Sequence, residues 1–123
     1  MAIRPEHLSS PGVAHGGVLA GLLAAALGAA ALTLAFTTGE LVSTVEFKIS
    51  YLQPVRFGDE LRAVAQVDHA GKSLLVSSGT IYRWAPGEDF ETAVAQGLGT
   101  FNRYPAGKRL GDLSAEARAS TAD

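Results

Sequence analysis

His15-Gly16-Gly17 is the run in this 123-residue chain whose residue types and order most directly suggest chemistry. It stands at the head of a segment without charge, Gly16 to Gly39, in which Leu19, Leu22, Leu23 and Leu27 keep helical spacing. The first N–H groups of a helix have no partner within it. Together with the helix dipole they suit a carbonyl oxygen that becomes negative during a reaction. Gly16 and Gly17 allow a ligand to reach those groups with no Cβ in the way. A second run, Gly71-Lys72-Ser73, combines turn N–H groups with a lysine and suits an anion such as a phosphate. A plain hairpin turn with a solvated lysine is the alternative reading.

Composition removes several other chemistries. With no cysteine there is no disulfide, thiolate nucleophile or cysteine-held metal, which fits a cytoplasmic protein. His7, His15 and His69 stand far apart in sequence and define no metal site. The formal charge of -2 and ten scattered Lys and Arg leave no basic field for a nucleic acid; Lys108-Arg109 is the only dense pair. His7 and His69 are expected in solvent, Trp84 beside a turn, and Glu46 and Lys48 as a solvated pair on one strand face.

The chain is long enough for one core. Leu19 to Phe36 approaches the length of a membrane span, but Ala and Gly dominate it and no basic cluster flanks it, so a helix of the core is expected. That helix is predicted from Gly16 to Thr37, with Gly39 turning the chain in a left-handed conformation. Its small residues suit close wrapping by a curved sheet. Strands are expected over 43–51, 60–69, 73–83 and 91–102, separated by Pro54 with Gly58-Asp59, by Ala70-Gly71-Lys72, and by the turn Ala85 to Asp89. In the first, Val45, Phe47, Ile49 and Tyr51 alternate with Thr44, Glu46, Lys48 and Ser50. In the second, Leu61, Ala63, Ala65 and Val67 share a side. The class is α+β, one helix covering one antiparallel meander, with the edges left for self-association. Residues 1–104 form the domain. Residues 105–123 read as a polar, flexible tail with one helical turn near 115–119.

These elements carry a family resemblance. His15-Gly16-Gly17-Val18-Leu19-Ala20-Gly21-Leu22-Leu23 resembles the helix start of the HGG-type hotdog thioesterases, the group related to the phenylacetate-degradation thioesterase. Thr44-Val45-Glu46-Phe47, Tyr51-Leu52-Gln53-Pro54, Gly58-Asp59-Glu60-Leu61, Asp68 to Ser73 and Ala95 to Phe101 match in the same order, so the likeness covers about residues 3 to 103. It implies a hotdog fold: one long central helix wrapped by a curved antiparallel sheet. It also implies hydrolysis of an acyl-CoA thioester between two subunits of a homodimer or homotetramer, with neither metal nor redox cofactor. By the resemblance the Gly16 N–H holds the oxyanion beside Gly17, and His15 orients the thioester. Ser9 stands where the family has Asn or Gln, and Thr44 supplies a hydroxyl across the interface. Gly71, Lys72 and Ser73 would meet the CoA phosphates.

One departure bears on the reaction. The family's Asp or Glu, nine residues after the histidine, is Ala24 here, and no carboxylate lies between His15 and Glu40. Loss of a general base costs on the order of 10²–10⁴ in rate. Three readings stay open: a carboxylate replaced to trap a ligand; an enzyme whose base is Glu40, Glu46 or Asp68; and a non-catalytic acyl-CoA-binding protein. A hotdog dehydratase would equally need an acid/base pair that this helix lacks. The acyl group is not legible in the sequence.

Overall fold

Leucines and alanines four residues apart make the buried stripe of the helix. A computed structural model describes residues 1–9 and 12–107. Its helix α1, Gly16–Phe36, buries Leu19, Leu23, Leu27, Ala31 and Ala35. Alanine and leucine, the strongest helix formers, fill it, and Gly39 ends it with φ of 72°. By length and composition α1 could cross a membrane; here its buried stripe lies on the sheet. That stripe is fully covered, Val18 and Leu22 pack beside it, and Leu32, Leu34 and Phe36 on other faces are exposed.

Two short strands, β1 (Leu8–Ser9) and β2 (Val13–Ala14), form a hairpin before the helix. Four long strands follow: β3 (Glu40–Tyr51), β4 (Glu60–Ala70), β5 (Leu74–Trp84) and β6 (Thr92–Pro105). They make one antiparallel sheet in the order β3-β6-β5-β4, and α1 packs on all four. This is the hotdog arrangement. The core joins the helix stripe to Leu61, Leu75, Ile81, Val94, Ala95 and Phe101, with Phe47, Ile49, Ala63, Ala65 and Val67 at its margin. The N-terminal residues also belong to it. Ile3 is buried and donates its N–H to the Asp59 carbonyl at 2.9 Å.

The expected simple meander is corrected. Only β4, β5 and β6 follow one another across the sheet, while β3 lies beside the last strand, at one edge. Residues 52–59 must therefore cross from one edge of the sheet to the other. Alternation alone could not reveal this, because it gives each strand's inner face but not its neighbour.

A bulge corrects the phase of β3. Thr44 pairs with Phe101 and Glu46 with Thr100, which leaves Val45 unpaired and 59% exposed. Cross-strand partners share a face, so Thr44 lies on the helix side with Phe101 rather than on the polar face with Glu46. His7 also differs from expectation. It is half-buried, and its Nδ1 accepts the Arg4 N–H at 2.9 Å. His69 is exposed, and Trp84 closes its turn by donating to the Glu88 carbonyl. Strand β6 runs to Pro105, and the Ala106 N–H donates to Gly39. The tail from 108 onward, including the helical turn expected near 115–119, lies outside the described residues.

The close approach of helix and sheet rests on glycines in the strands. Gly79 and Gly97 pair across β5 and β6 beneath Leu23. A Cβ on Gly97 would stand 2.1 Å from the Lys48 carbonyl oxygen and 3.0 Å from the Leu23 side chain. Gly97→Ala is accordingly expected to spread β3 from β6. The loss should be at least the ~1–3 kcal/mol of an overpacked core, read as a lower urea midpoint.

Candidate active site at the helix N-terminus

The crossing segment after β3 closes the sheet's open end beneath the start of α1. The Leu52 and Gln53 N–H groups both donate to the Val94 carbonyl, at 2.8 and 3.3 Å, and the Ala14 N–H donates to Val55 at 2.7 Å. Arg83 donates to the Pro54 carbonyl, Val13 bridges Arg56, and the Val55 side chain is buried. This floor fixes the residues that face the helix N-terminus.

His15 is the N-cap, in extended backbone, and its Nδ1 accepts the Gly17 N–H at 2.9 Å. A neutral imidazole that accepts at Nδ1 carries its proton on Nε2, so an exposed donor remains for a ligand. The His15 N–H is taken by the His7 carbonyl at 2.7 Å. Tyr51, at the end of β3, donates its hydroxyl proton to the Gly16 carbonyl at 2.7 Å. The Gly16–Gly17 peptide is thus held at its N–H by His15 and at its C=O by Tyr51. The preceding Gly16 N–H makes no backbone hydrogen bond among the described residues and is available to an external oxygen.

A shallow pocket of about 310 Å³ opens here, lined by Gly16, Leu19, Tyr51, Leu52, Pro54 and Val55 among others. It is an apolar slot with a backbone donor at its mouth, an arrangement suited to polarising the carbonyl of an apolar acyl group. A larger cavity of about 530 Å³, with Lys48, Gln66 and Gln96 in its wall, lies on the sheet face away from the helix and shares no residue with this end.

The remaining residues expected at the site do not all gather here. Ser9 is near, in the hairpin before His15, but its hydroxyl donates to the Val13 carbonyl at 3.0 Å and closes that turn. Ala24 is half-buried, on the same side of α1 as Gly17. It lies eight residues beyond Gly16, about 12 Å along the axis. Thr44 stands seven residues before Tyr51 on β3, about 23 Å along the strand.

Gly71, Lys72 and Ser73 are at the opposite end of the molecule. The Gly71 N–H closes the hairpin onto Leu74 at 2.7 Å, and its carbonyl accepts from Arg103 Nη1 at 3.1 Å. Arg103 also reaches Thr38, just past the helix C-terminus, at 3.2 Å. Since α1 has 21 residues, this turn is about 30 Å from Gly16. Lys72 and Ser73 are exposed.

The alternative bases are no closer. Glu40 pairs with Arg103 at 2.9 Å, and the Thr38 hydroxyl, then Arg103, hold its carboxyl below the usual range. Glu46 accepts from Thr100, and Asp68 lies beside the last turns of α1 and accepts from Gln66.

Sequence reasoning missed Tyr51 as part of the site. It reads there as one more apolar-face residue of an alternating strand. The available signal was its place as the last residue of β3, where the sheet ends and the helix begins.

The comparisons with known proteins agree with this architecture. Residues 11–88, more than half of the chain, match the family model of the thioesterase superfamily. The chain belongs to that family. Among solved structures it is similar to the BH2602 protein of Bacillus halodurans, whose structure contains CoA, at 32% identity and a TM-score of 0.73, covering 85% of this chain and 68% of that one. It is also similar to the PaaI protein of the E. coli phenylacetic acid degradation operon, at 27% identity and a TM-score of 0.68, over 85% and 69% of the two chains. HI0827, a hexameric broad-specificity acyl-coenzyme A thioesterase, shares the fold at 20% identity and a TM-score of 0.70, over 83% and 74%. No curated protein sequence matches the chain.

Proposed function

We propose that this protein binds acyl-CoA thioesters and, when a carboxylate stands at position 24, hydrolyses them in a site shared by two copies of the chain. The observation that carries the reading is the Gly16 N–H, without a hydrogen-bond partner among the described residues, at the mouth of an apolar slot, with the next peptide held by His15 and Tyr51. The CoA in the BH2602 structure supports the ligand class. In the reaction, water attacks the thioester carbonyl carbon, the Gly16 N–H stabilises the oxyanion, and His15 Nε2–H orients the thioester. The C–S bond then breaks, and CoA leaves as the thiolate and takes up a proton. A residue at 24 would be the base that accepts the proton from water. No step calls for a metal or redox cofactor.

The spacing favours two copies. A single thioester carbonyl cannot touch both Gly16 and a short side chain about 12 Å further along the same helix. Strand β3 offers 12 residues with one long edge unpaired in the described chain. A second β3, antiparallel to the first across a two-fold axis, would bring one copy's Thr44 half toward the other's Tyr51 half. It would also let the Gly71-Lys72-Ser73 turn and the helix N-terminus of different copies serve one CoA.

The second reading is a protein that binds acyl-CoA without turning it over. Ala24 favours it, as do the positions of Glu40, Glu46 and Asp68 away from Gly16. Thiol release from aryl and aliphatic acyl-CoAs, measured with this chain and with Ala24→Asp, tests both readings. Release only with the substituted chain supports hydrolysis built on α1. Binding without release by either chain supports the second reading, and failure to bind acyl-CoA at all would reject both.

A further inference from the structure

We infer that Tyr51 is the positioning residue for the oxyanion donor, an inference that rests on the thioester-binding reading above. The Gly16 N–H and the Gly16 carbonyl are separated only by the φ and ψ of a glycine, the residue with the widest conformational freedom. The direction of a glycine N–H at a helix start is therefore only as well defined as the peptides on either side of it. Tyr51 anchors the following peptide through its carbonyl at 2.7 Å, and His15 anchors the same peptide through the Gly17 N–H at 2.9 Å.

The two residues also explain each other. A Cβ on Gly16 would stand 3.2 Å from the Tyr51 hydroxyl oxygen and 3.3 Å from Cζ, tighter than ordinary contact. Tyrosine can dock because position 16 is glycine, and the glycine's freedom is restrained because tyrosine docks. Tyr51 is 53% exposed, yet its hydroxyl proton goes to a protein carbonyl 35 residues away in sequence. Its base is rigid. The next two residues donate to Val94, and Pro54 is held by Arg83. Tyr51 touches the helix and not the reacting atoms, so its effect on the reaction is transmitted through Gly16.

The test is the carbonyl stretch of a bound thioester, read by isotope-edited infrared spectroscopy with a 13C-labelled acyl-CoA, in this chain and in Tyr51→Phe. The phenylalanine keeps the ring and removes only the hydroxyl. In the parent chain the bound carbonyl should lie below its solution frequency; in Tyr51→Phe it should move back toward it, with affinity for acyl-CoA within about twofold. In an Ala24→Asp background the same change should lower kcat about tenfold at nearly constant KM, part of the 10²–10³ that loss of a whole donor costs.

An unchanged frequency in Tyr51→Phe would overturn the inference. So would a variant that only melts earlier, with the parent's carbonyl frequency in its folded fraction; that result would make Tyr51 structural. If neither chain binds acyl-CoA, the reading on which the inference rests is itself rejected, an outcome plainly different from binding without a frequency shift.

Discussion

Ala24→Asp should raise thiol release from a suitable acyl-CoA by about 10²–10⁴, the usual contribution of a positioned general base. The side chain at 24 is half-buried, neither sealed in the core nor free in solvent. A carboxylate there can keep its charge while being partly desolvated, which raises its basicity. The structural cost is small. Aspartate in a helix interior is less favourable than alanine by about 0.7 kcal/mol or less. Ala24→Asn separates chemistry from shape, because it has the same size and no basic oxygen, and it should stay at the parent's rate. The measurement is CoA thiol release at saturating substrate across pH. The aspartate variant should gain activity as pH rises through its carboxyl titration. A parent chain as fast as the variant would show that the base lies elsewhere.

Gly16→Pro, made in the Ala24→Asp background, should lower kcat by about 10²–10³, the cost of deleting one oxyanion donor. Proline has no N–H to offer, yet the first position of a helix is where it is best tolerated, since that N–H has no helical partner. The residue before a proline must be extended, and His15 already is, at φ -62° and ψ 135°. The fold should therefore accept the change with only a slight displacement of Tyr51. Gly16→Ala is the control. It adds the same first carbon, which crowds Tyr51, but keeps the N–H, so its loss should not exceed the tenfold expected of Tyr51→Phe. Mixing Gly16→Pro/Ala24→Asp chains with parent chains adds a test of the shared site. Each mixed dimer would contain one intact Gly16 and one aspartate, and activity should return although neither homodimer is active.

The helix and its cap were legible because they are local. His15-Gly16-Gly17 followed by leucines and alanines specifies a helix start, and the observed end at Phe36 is one residue short of the expected Thr37. The four strands were legible for the same reason; the structure lengthens β3, β4 and β6 by one to three residues and shifts β5 by one. What failed was non-local. Nothing in Val45-Glu46-Phe47 announces a bulge, so the unbroken alternation put Thr44 on the wrong face. The position of β3 beside β6 is set by pairings some 55 residues apart in sequence, for which one strand's pattern carries no address. The candidate site was half legible. His15, Gly16 and Gly17 meet at one point, while Thr44 and the Gly71 turn are remote in the same chain. Ala24 lies between, and a sequence does not say which of its residues will serve a neighbouring copy.

The place of β3 in the sheet also has a bearing on how the protein is made. Strands β4, β5 and β6 can pair as successive hairpins, but β3 has no long-strand partner until the last strand exists. The Val94 carbonyl that holds Leu52 and Gln53 is supplied equally late. During synthesis, Leu52 and Gln53 should lack their anchor until residues near 94–105 have left the ribosome, although Val55 and Arg56 can already meet Ala14 and Val13; contacts of such long sequence separation are the slow ones to form. The pocket at the helix N-terminus would then be among the last parts of the domain to mature. Pulse-labelled hydrogen exchange during refolding should find the amides of 52 and 53 protected after those of the β4–β5 hairpin.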